Sequence, residues 1–224
     1  MIEIPFKNSS EKFKVNNIFC IGKNYVDHIH EFANPEIPKE PVVFMKPNTS
    51  VILNNGKVGI PVIEGKKISN DLQNEVELII AIGKDTYRVS EENAGDYIQG
   101  YAIGLDLTLR DIQAYEKSKG LPWTTAKGFY SSCAVSDIVK KDLVKNPSYM
   151  NFTLDKNNAR IQTGNTSLMI FNIYKIISYL SHIFKLVEGD LIFTGTPSGI
   201  STLHSGDKLY AKLEDLVDLN IEVE

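Results

Sequence analysis

The ten residues from Asn74 to Gly83, NEVELIIAIG, constrain the fold more than any other stretch of the chain. Strand side chains alternate between faces, so Val76, Leu78, Ile80 and Ile82 share one face. Glu75 and Glu77 share the other with Ile79 and Ala81. A strand that is apolar on both faces reads as buried, and this one carries two carboxylates at its start. Burying two like charges is costly unless a cation neutralises them. By spacing alone, a solvated strand end with two surface acids is the commoner arrangement, and both readings stay open at this point.

Composition narrows the classes that can hold such a strand. Hydrophobic residues make up 42% and charged residues 23% of the 224 residues, which excludes a disordered chain. The length fits one large domain or two small ones. The formal net charge of −4 gives no basic face for nucleic acid. Only Arg88, Arg110 and Arg160 offer a planar grip on a carboxylate. Cys20 and Cys133 stand far apart with no CxxC, which reads as two reduced thiols in a cytoplasmic protein. The first fourteen residues, with acidic Glu3 and no long apolar run, do not read as a secretory signal. Met169 to Phe184 is the best membrane candidate. Asn172, Lys175, Tyr179 and His182 recur in it at steps of three or four, the polar stripe of an amphipathic helix. No membrane partner is expected.

Short apolar runs at 16–23, 41–45, 76–82, 98–105, 152–154, 159–162, 191–194 and 208–213 read as strands. Helices are expected at Asn24–Phe32, at about Thr108–Lys119 and up to about Lys185. Asn54-Asn55-Gly56 and Asn157-Asn158 read as hairpin turns. This pattern lacks regular βαβ alternation and argues for an α+β fold. Residues 1–15 read as a short lead-in and 16–224 as one domain.

Several other residue groups could carry chemistry. Asp106 ends a second apolar strand, IGLD, and Thr108 with Asp111 resembles a capping box. Arg110 and Gln113, three apart, share a helix face. Three carboxylates without His or Cys at ligand spacing favour a hard cation, Mg²⁺ or Mn²⁺, over zinc. His28 and Glu31 are also three apart, as in an imidazole oriented by a carboxylate to act as a base, or in a plain surface ion pair. Lys127, between Trp123 and Phe129, reads as a snorkelling surface residue or as a cation facing an anionic substrate. Thr194 to Gly199, TGTPSG, reads as a plain turn or as a nest of N–H groups for a carboxylate.

Together, CIGKNYVDHIHEF, PVVFMKP, EVELIIAIGK, GYAIGLDLTLRDIQ, KGLPWTTAKGF, QTGNTSLMIF and EGDLIFTGTPSGI resemble, in number and order, the fumarylacetoacetate hydrolase family over residues 16–224. KGLPWTTAKGF is most similar to the acylpyruvase branch. The resemblance implies a mixed β-sheet rolled into a barrel-like structure with a few short helices, a homodimer, and Mg²⁺ or Mn²⁺ on Glu75, Glu77 and Asp106. It implies His28, Glu31 and Lys127 as catalytic residues and Arg110, Gln113 and Thr196 as substrate-binding ones, with Thr194 the other candidate for the last role. The implied activity is C–C hydrolysis of small 3-acylpyruvates to pyruvate and a carboxylic acid, with decarboxylation of oxaloacetate. The alternative is a 2-oxo acid isomerase, tautomerase (oxaloacetate included) or hydratase on the same fold. Gln73-Asn74 stands where related acylpyruvases often carry His-His, a departure that bears on the substrate tail.

Overall fold

The structure is a computed structural model that describes residues 2–31 and 35–224. Its main sheet is mixed and eight-stranded. Along its path lie Val42–Lys46, Ile18–Gly22, Leu191–Phe193, Val76–Ile82, Ile98–Asp106, Cys133–Val135 and Val51–Leu53, with Val139–Lys140 joined to Ile98–Asp106. Every residue of Val76–Ile82 is buried. The strand pairs antiparallel with Ile98–Asp106 on one side and Leu191–Phe193 on the other. A five-stranded sheet of Ala159–Asn165, Asn151–Lys156, Lys208–Leu213, Val217–Val223 and Gly56–Val58 completes a curled half-barrel with few helices.

The alternation read from NEVELIIAIG is physically expressed as two separate cores. Val76, Leu78, Ile80 and Ile82 enter the larger one, with Phe152, Leu154, Leu209 and Leu219 of the second sheet and Ile176, Ile177 and Leu180 of the helix Ile173–Ile183. Ile79 and Ala81 enter the other, with Ala102, Phe193 and both cysteines. That second face is covered by residues 2–15. Strands Glu3–Pro5 and Lys12–Lys14 pair antiparallel and bury Ile4, Phe6, Phe13 and Val15.

Several local expectations meet corrections. The helix expected at Asn24–Phe32 is the single turn Val26–Ile29, and Phe32 lies outside the described residues. Tyr25 is extended and bridges Met169, and the buried Asn24 side chain bonds Phe171 and Thr194 carbonyls, so both are held by tertiary partners. At Asn54-Asn55-Gly56 the turn exists, with Asn55 at φ 65°. Its flanking strands do not pair with each other: Val51–Leu53 runs parallel to Cys133–Val135, and Gly56–Val58 parallel to Val217–Val223. The turn carries the chain between sheets. Asn157 and Asn158, at φ 53° and 67°, do close the expected hairpin.

The capping box is absent. The helix begins at Arg110 with Leu109 as an uncapped first residue. Thr108 donates to the Asp106 carbonyl, and Asp111 accepts from Ser69 and the Asn70 N–H, fastening the preceding loop. The last helix keeps its cap: Asn172 accepts from the N–H groups of Tyr174 and Lys175 at 2.9 Å each.

Gly104 lies opposite Glu77 in the central pair. A Cβ there would stand 2.4 Å from Ile79 Cδ1 and 2.7 Å from the Ala134 carbonyl. Gly104→Ala is therefore expected to lower unfolding free energy by about 1–3 kcal/mol, from overpacking. Urea unfolding followed by far-UV circular dichroism measures it, and an unchanged midpoint contradicts the packing described.

Candidate metal and active site

The end of the central pair gathers the acids. The Asp106 N–H donates to the Glu75 carbonyl at 2.8 Å, so the two strand ends are tied together. Glu75, Glu77 and Asp106 are all buried, and one oxygen from each lies within 4.8 Å of the others. Solvation does not offset their repulsion; three cations do. Lys127 Nζ lies 2.7 Å from Glu75 Oε2, Asp106 Oδ2 and Thr108 Oγ1. Arg110 Nη2 donates to Glu75 Oε1, while its Nε donates to Gln73 Oε1 at 2.8 Å and its Nη1 to Gln113 Oε1 at 2.6 Å. Lys46 Nζ lies 2.7 Å from Asp106 Oδ1 and donates to the carbonyls of Lys127 and Leu107. Lys127 is thus neither snorkelling nor exposed. Its site follows from the single turn Thr124–Lys127, which directs it inward.

The electrostatics are uneven across the triad. Burial alone would push the Glu75 carboxyl up, but Lys127 and Arg110 outweigh it and hold it far below the usual carboxylate range. Among the described residues Glu77 makes no ion pair, and the Lys127 charge lowers its pKa only as a minor influence. Burial and the Asp106 and Glu75 charges push its carboxyl up, opposed in part by the Gly195 N–H, 2.7 Å from Oε2. For Lys127, burial works against the charge, yet the Asp106 and Glu75 carboxylates raise its pKa.

The triad fits a divalent cation by two observations. Its donors are all carboxylate oxygens, the set that hard cations take. Asp106 Oδ1 is buried and accepts no hydrogen bond, its contact with Lys46 being one of charge. Glu75, Glu77 and Asp106 are the residues that would hold the ion.

His28, Arg110, Gln113, Lys127 and Thr196 line one cavity of about 30 Å³ with the triad. His28 Nδ1 lies 2.7 Å from Glu31 Oε2, and Glu31 Oε1 accepts the Gly199 N–H at 2.8 Å. Burial raises the Glu31 pKa, but these hydrogen bonds outweigh burial and leave it lowered. A single helical turn is not stable by itself, so this carboxylate fixes where the imidazole sits. The TGTPSG turn is no open anion nest: the N–H groups of Gly195 and Gly199 go to Glu77 and Glu31. Thr196 lines the cavity and donates to the Val76 carbonyl, whereas Thr194 donates to the Leu78 carbonyl.

Sequence reasoning missed Lys46, Asn74 and Gln162. Gln162 accepts from Asn74 and the Val76 N–H and donates to Thr196 and the Pro197 carbonyl, bracing the triad strand against the turn. Nothing in single-sequence spacing links residues 74 and 162. Lys46 was legible only as a cation beside Pro47 at a strand end. A larger cavity of about 750 Å³ shares Phe44 and Trp123 with the acidic one, and the triad does not line it.

A mixed sheet, a buried acid triad and a carboxylate-held imidazole meet at one end of the central strands. The profile of the fumarylacetoacetate (FAA) hydrolase C-terminal family matches residues 17–224. The mitochondrial oxaloacetate tautomerase FAHD1 of Bos taurus is 42% identical over 208 residues, 93% of this chain and 91% of that protein. The protein of the same name from Arabidopsis thaliana is 39% identical over 224 residues, 100% of this chain and 95% of that one. The fumarylpyruvate hydrolase of Pseudomonas aeruginosa, solved with Mn²⁺ and pyruvate, superposes with a TM-score of 0.93 at 28% identity, over 99% of this chain and 95% of that one. The chain belongs to the fumarylacetoacetate hydrolase family. Among the described residues no helix is long and apolar enough to cross a membrane.

Glu77→Gln separates binding from stability. Removing the charge relieves repulsion within the buried triad, so the metal-free variant is expected to melt above wild type. It is also expected to lose the rise in Tm that Mn²⁺ gives wild type through binding to the folded state. Scanning calorimetry with and without Mn²⁺ reads both, and a variant still stabilised by Mn²⁺ contradicts the assignment. Lys46→Met leaves one Asp106 oxygen with no cation and is expected to cost about 3–5 kcal/mol in unfolding free energy. Urea titration checks it.

Proposed function

We propose that this chain is a metal-dependent enzyme of small 2-oxo acids, whose first activity is keto–enol tautomerisation of oxaloacetate. The observation that carries the reading is the shared cavity of an all-oxygen triad and the Glu31-oriented His28. Tautomerase relatives at about 40% identity over nearly the whole chain support this order over hydrolysis. When bound, the divalent cation supplies Lewis-acid polarisation of the 2-oxo group.

The protein's own residues do the rest. Arg110, held in place by Gln73 and Gln113, orients the substrate carboxylate. His28 removes a proton from C3 and the same proton returns to the C2 oxygen, so one C–H bond breaks and one O–H bond forms. Glu31 keeps Nδ1 occupied and leaves Nε2 for the transfer. Lys127 faces the developing enolate charge.

Acylpyruvate hydrolysis is the second reading, favoured by the superposition on a hydrolase that holds Mn²⁺ and pyruvate. There His28 takes a proton from water, hydroxide attacks C4, the C3–C4 bond breaks and pyruvate enolate leaves. Oxaloacetate decarboxylation would reach the same enolate by loss of CO₂. Mg²⁺ or Mn²⁺ serves each. We read the protein further as a cytoplasmic homodimer with no nucleic-acid or membrane partner. The two cysteines, buried and free, support a reducing compartment.

Ultraviolet decay of enol-oxaloacetate tests the first reading. EDTA should abolish the catalysed rate, Mn²⁺ should restore it, and His28→Ala should lower it by about 10²–10⁴. Full activity in the chelated enzyme overturns the reading. Release of pyruvate from acetylpyruvate, with no acceleration of the enol decay, makes the second reading the correct one.

A further inference from the structure

Val76 stands between Glu75 and Glu77, and its peptide groups close a ring of hydrogen bonds. Its N–H donates to Gln162 Oε1 at 3.0 Å, Gln162 Nε2 donates to Thr196 Oγ1 at 3.0 Å, and Thr196 Oγ1 donates back to the Val76 carbonyl at 2.9 Å. Gln162 and Thr196 are both buried, and neither has a part in the steps proposed above. The ring runs in one direction only, because a main-chain group cannot exchange donor for acceptor. The Val76 N–H meets Oε1 of Gln162, the Pro197 carbonyl meets its Nε2 at 2.9 Å, and the Val76 carbonyl meets the Thr196 hydroxyl. Turning the amide over would set N–H against N–H and oxygen against oxygen. Asn74 Nδ2, 2.9 Å from Gln162 Oε1, is held in the same sense by the Gly199 carbonyl at 3.3 Å and by the Ser201 hydroxyl, which donates to Asn74 Oδ1 at 2.8 Å.

A threonine hydroxyl has one proton and two lone pairs. In Thr196 the proton goes to Val76, and one lone pair takes the Gln162 amide. Among the described residues the hydroxyl makes no further hydrogen bond, and Thr196 lines the cavity that holds the triad and His28. Its side chain therefore has a lone pair left for a ligand, and no proton. A ketone or carboxylate oxygen gains nothing from it, whereas a hydroxyl does. Turning the proton toward a ligand would strip the buried Val76 carbonyl of this bond, which is unfavourable away from water.

We infer that Gln162 is a positioning residue that locks the Thr196 hydroxyl as a hydrogen-bond acceptor, so that the cavity recognises the hydroxyl of an enol or a 2-hydroxy acid over the oxygen of a 2-oxo group. The inference rests on the reading of the cavity as the site of a metal-bound 2-oxo acid. In the tautomerisation proposed above, the enol carries an O–H at C2 and the keto form carries none. A locked acceptor therefore favours the enol. Gln162 does not line the cavity and acts only through Thr196.

Lactate and pyruvate provide the test, because they share a carboxylate and differ at C2, a hydroxyl in one and a ketone in the other. Calorimetric titration of each into the Mn²⁺-loaded protein reads binding without turnover. Thr196→Val is expected to weaken lactate by about two- to tenfold, the size of one hydrogen bond, and to spare pyruvate. Thr196→Ser keeps the acceptor and should keep both affinities. Gln162→Met frees the hydroxyl to turn its proton toward the ligand, so the ratio of lactate to pyruvate affinity should fall by a similar factor. A loss of packing alone would move both acids alike. If Gln162→Met does not fold, the Thr196 variants decide. A Thr196→Val protein that weakens both acids equally, pyruvate alone, or neither overturns the assignment, as does a folded Gln162→Met protein with the wild-type ratio. Failure of the underlying reading looks different: neither acid binds the Mn²⁺-loaded protein, or EDTA leaves their binding unchanged, and the assignment then falls with it.

Discussion

Everything in this molecule is arranged around the burial of three carboxylates at the ends of two paired strands. In water their repulsion would be small. Among buried side chains it is large unless each charge meets an opposite one. Lys127 answers two of them at 2.7 Å, Arg110 grips Glu75 from the helix, and Lys46 reaches Asp106 from the edge strand. Each cation comes from a different element. The sheet, the helix Arg110–Lys119 and the turn Thr124–Lys127 must therefore all be in place before the triad is tolerated. Among the described residues Glu77 is left without such an ion pair, and that imbalance is what a divalent ion would correct.

The same logic explains the rest of the cavity. A strand buried on both faces needs two covers, which the second sheet and the N-terminal hairpin provide. The TGTPSG turn crosses the strand end and spends its N–H groups on Glu77 and Glu31. One carboxylate then fixes the imidazole above the triad. Placement of the imidazole here depends on backbone donors as much as on side-chain neighbours.

The central strand was legible because it is a short, almost wholly apolar run bounded by Asn74 and Gly83. Glu75, Glu77 and Asp106 were legible as strand-end acids, and it took the resemblance of the ordered motifs to join them. His28 with Glu31, and Arg110 with Gln113, were legible from spacing within a helical turn. What escaped has one physical cause: the contact is long-range. Lys46 meets residues 106, 107 and 127, and Gln162 meets 74, 76, 196 and 197, pairings that local periodicity cannot encode. Asn54-Asn55-Gly56 failed as a hairpin for a related reason. A turn sequence sets the local backbone, whereas the partners of the flanking strands are decided by the sheets they join. Thr108 and Asp111 have capping chemistry but spend it on Asp106 and on the Ser69–Asn70 loop.

If the buried triad is a cation site, its carboxylates are held in place by the ammonium groups until the ion arrives. Anomalous diffraction from a crystal grown with Mn²⁺ tests it most directly. One strong peak is expected at about 2.0–2.3 Å from an oxygen of each of Glu75, Glu77 and Asp106, the range of hard-cation carboxylate bonds. A triad without a peak under saturating Mn²⁺, with Lys127 still bridging Glu75 and Asp106, would contradict it.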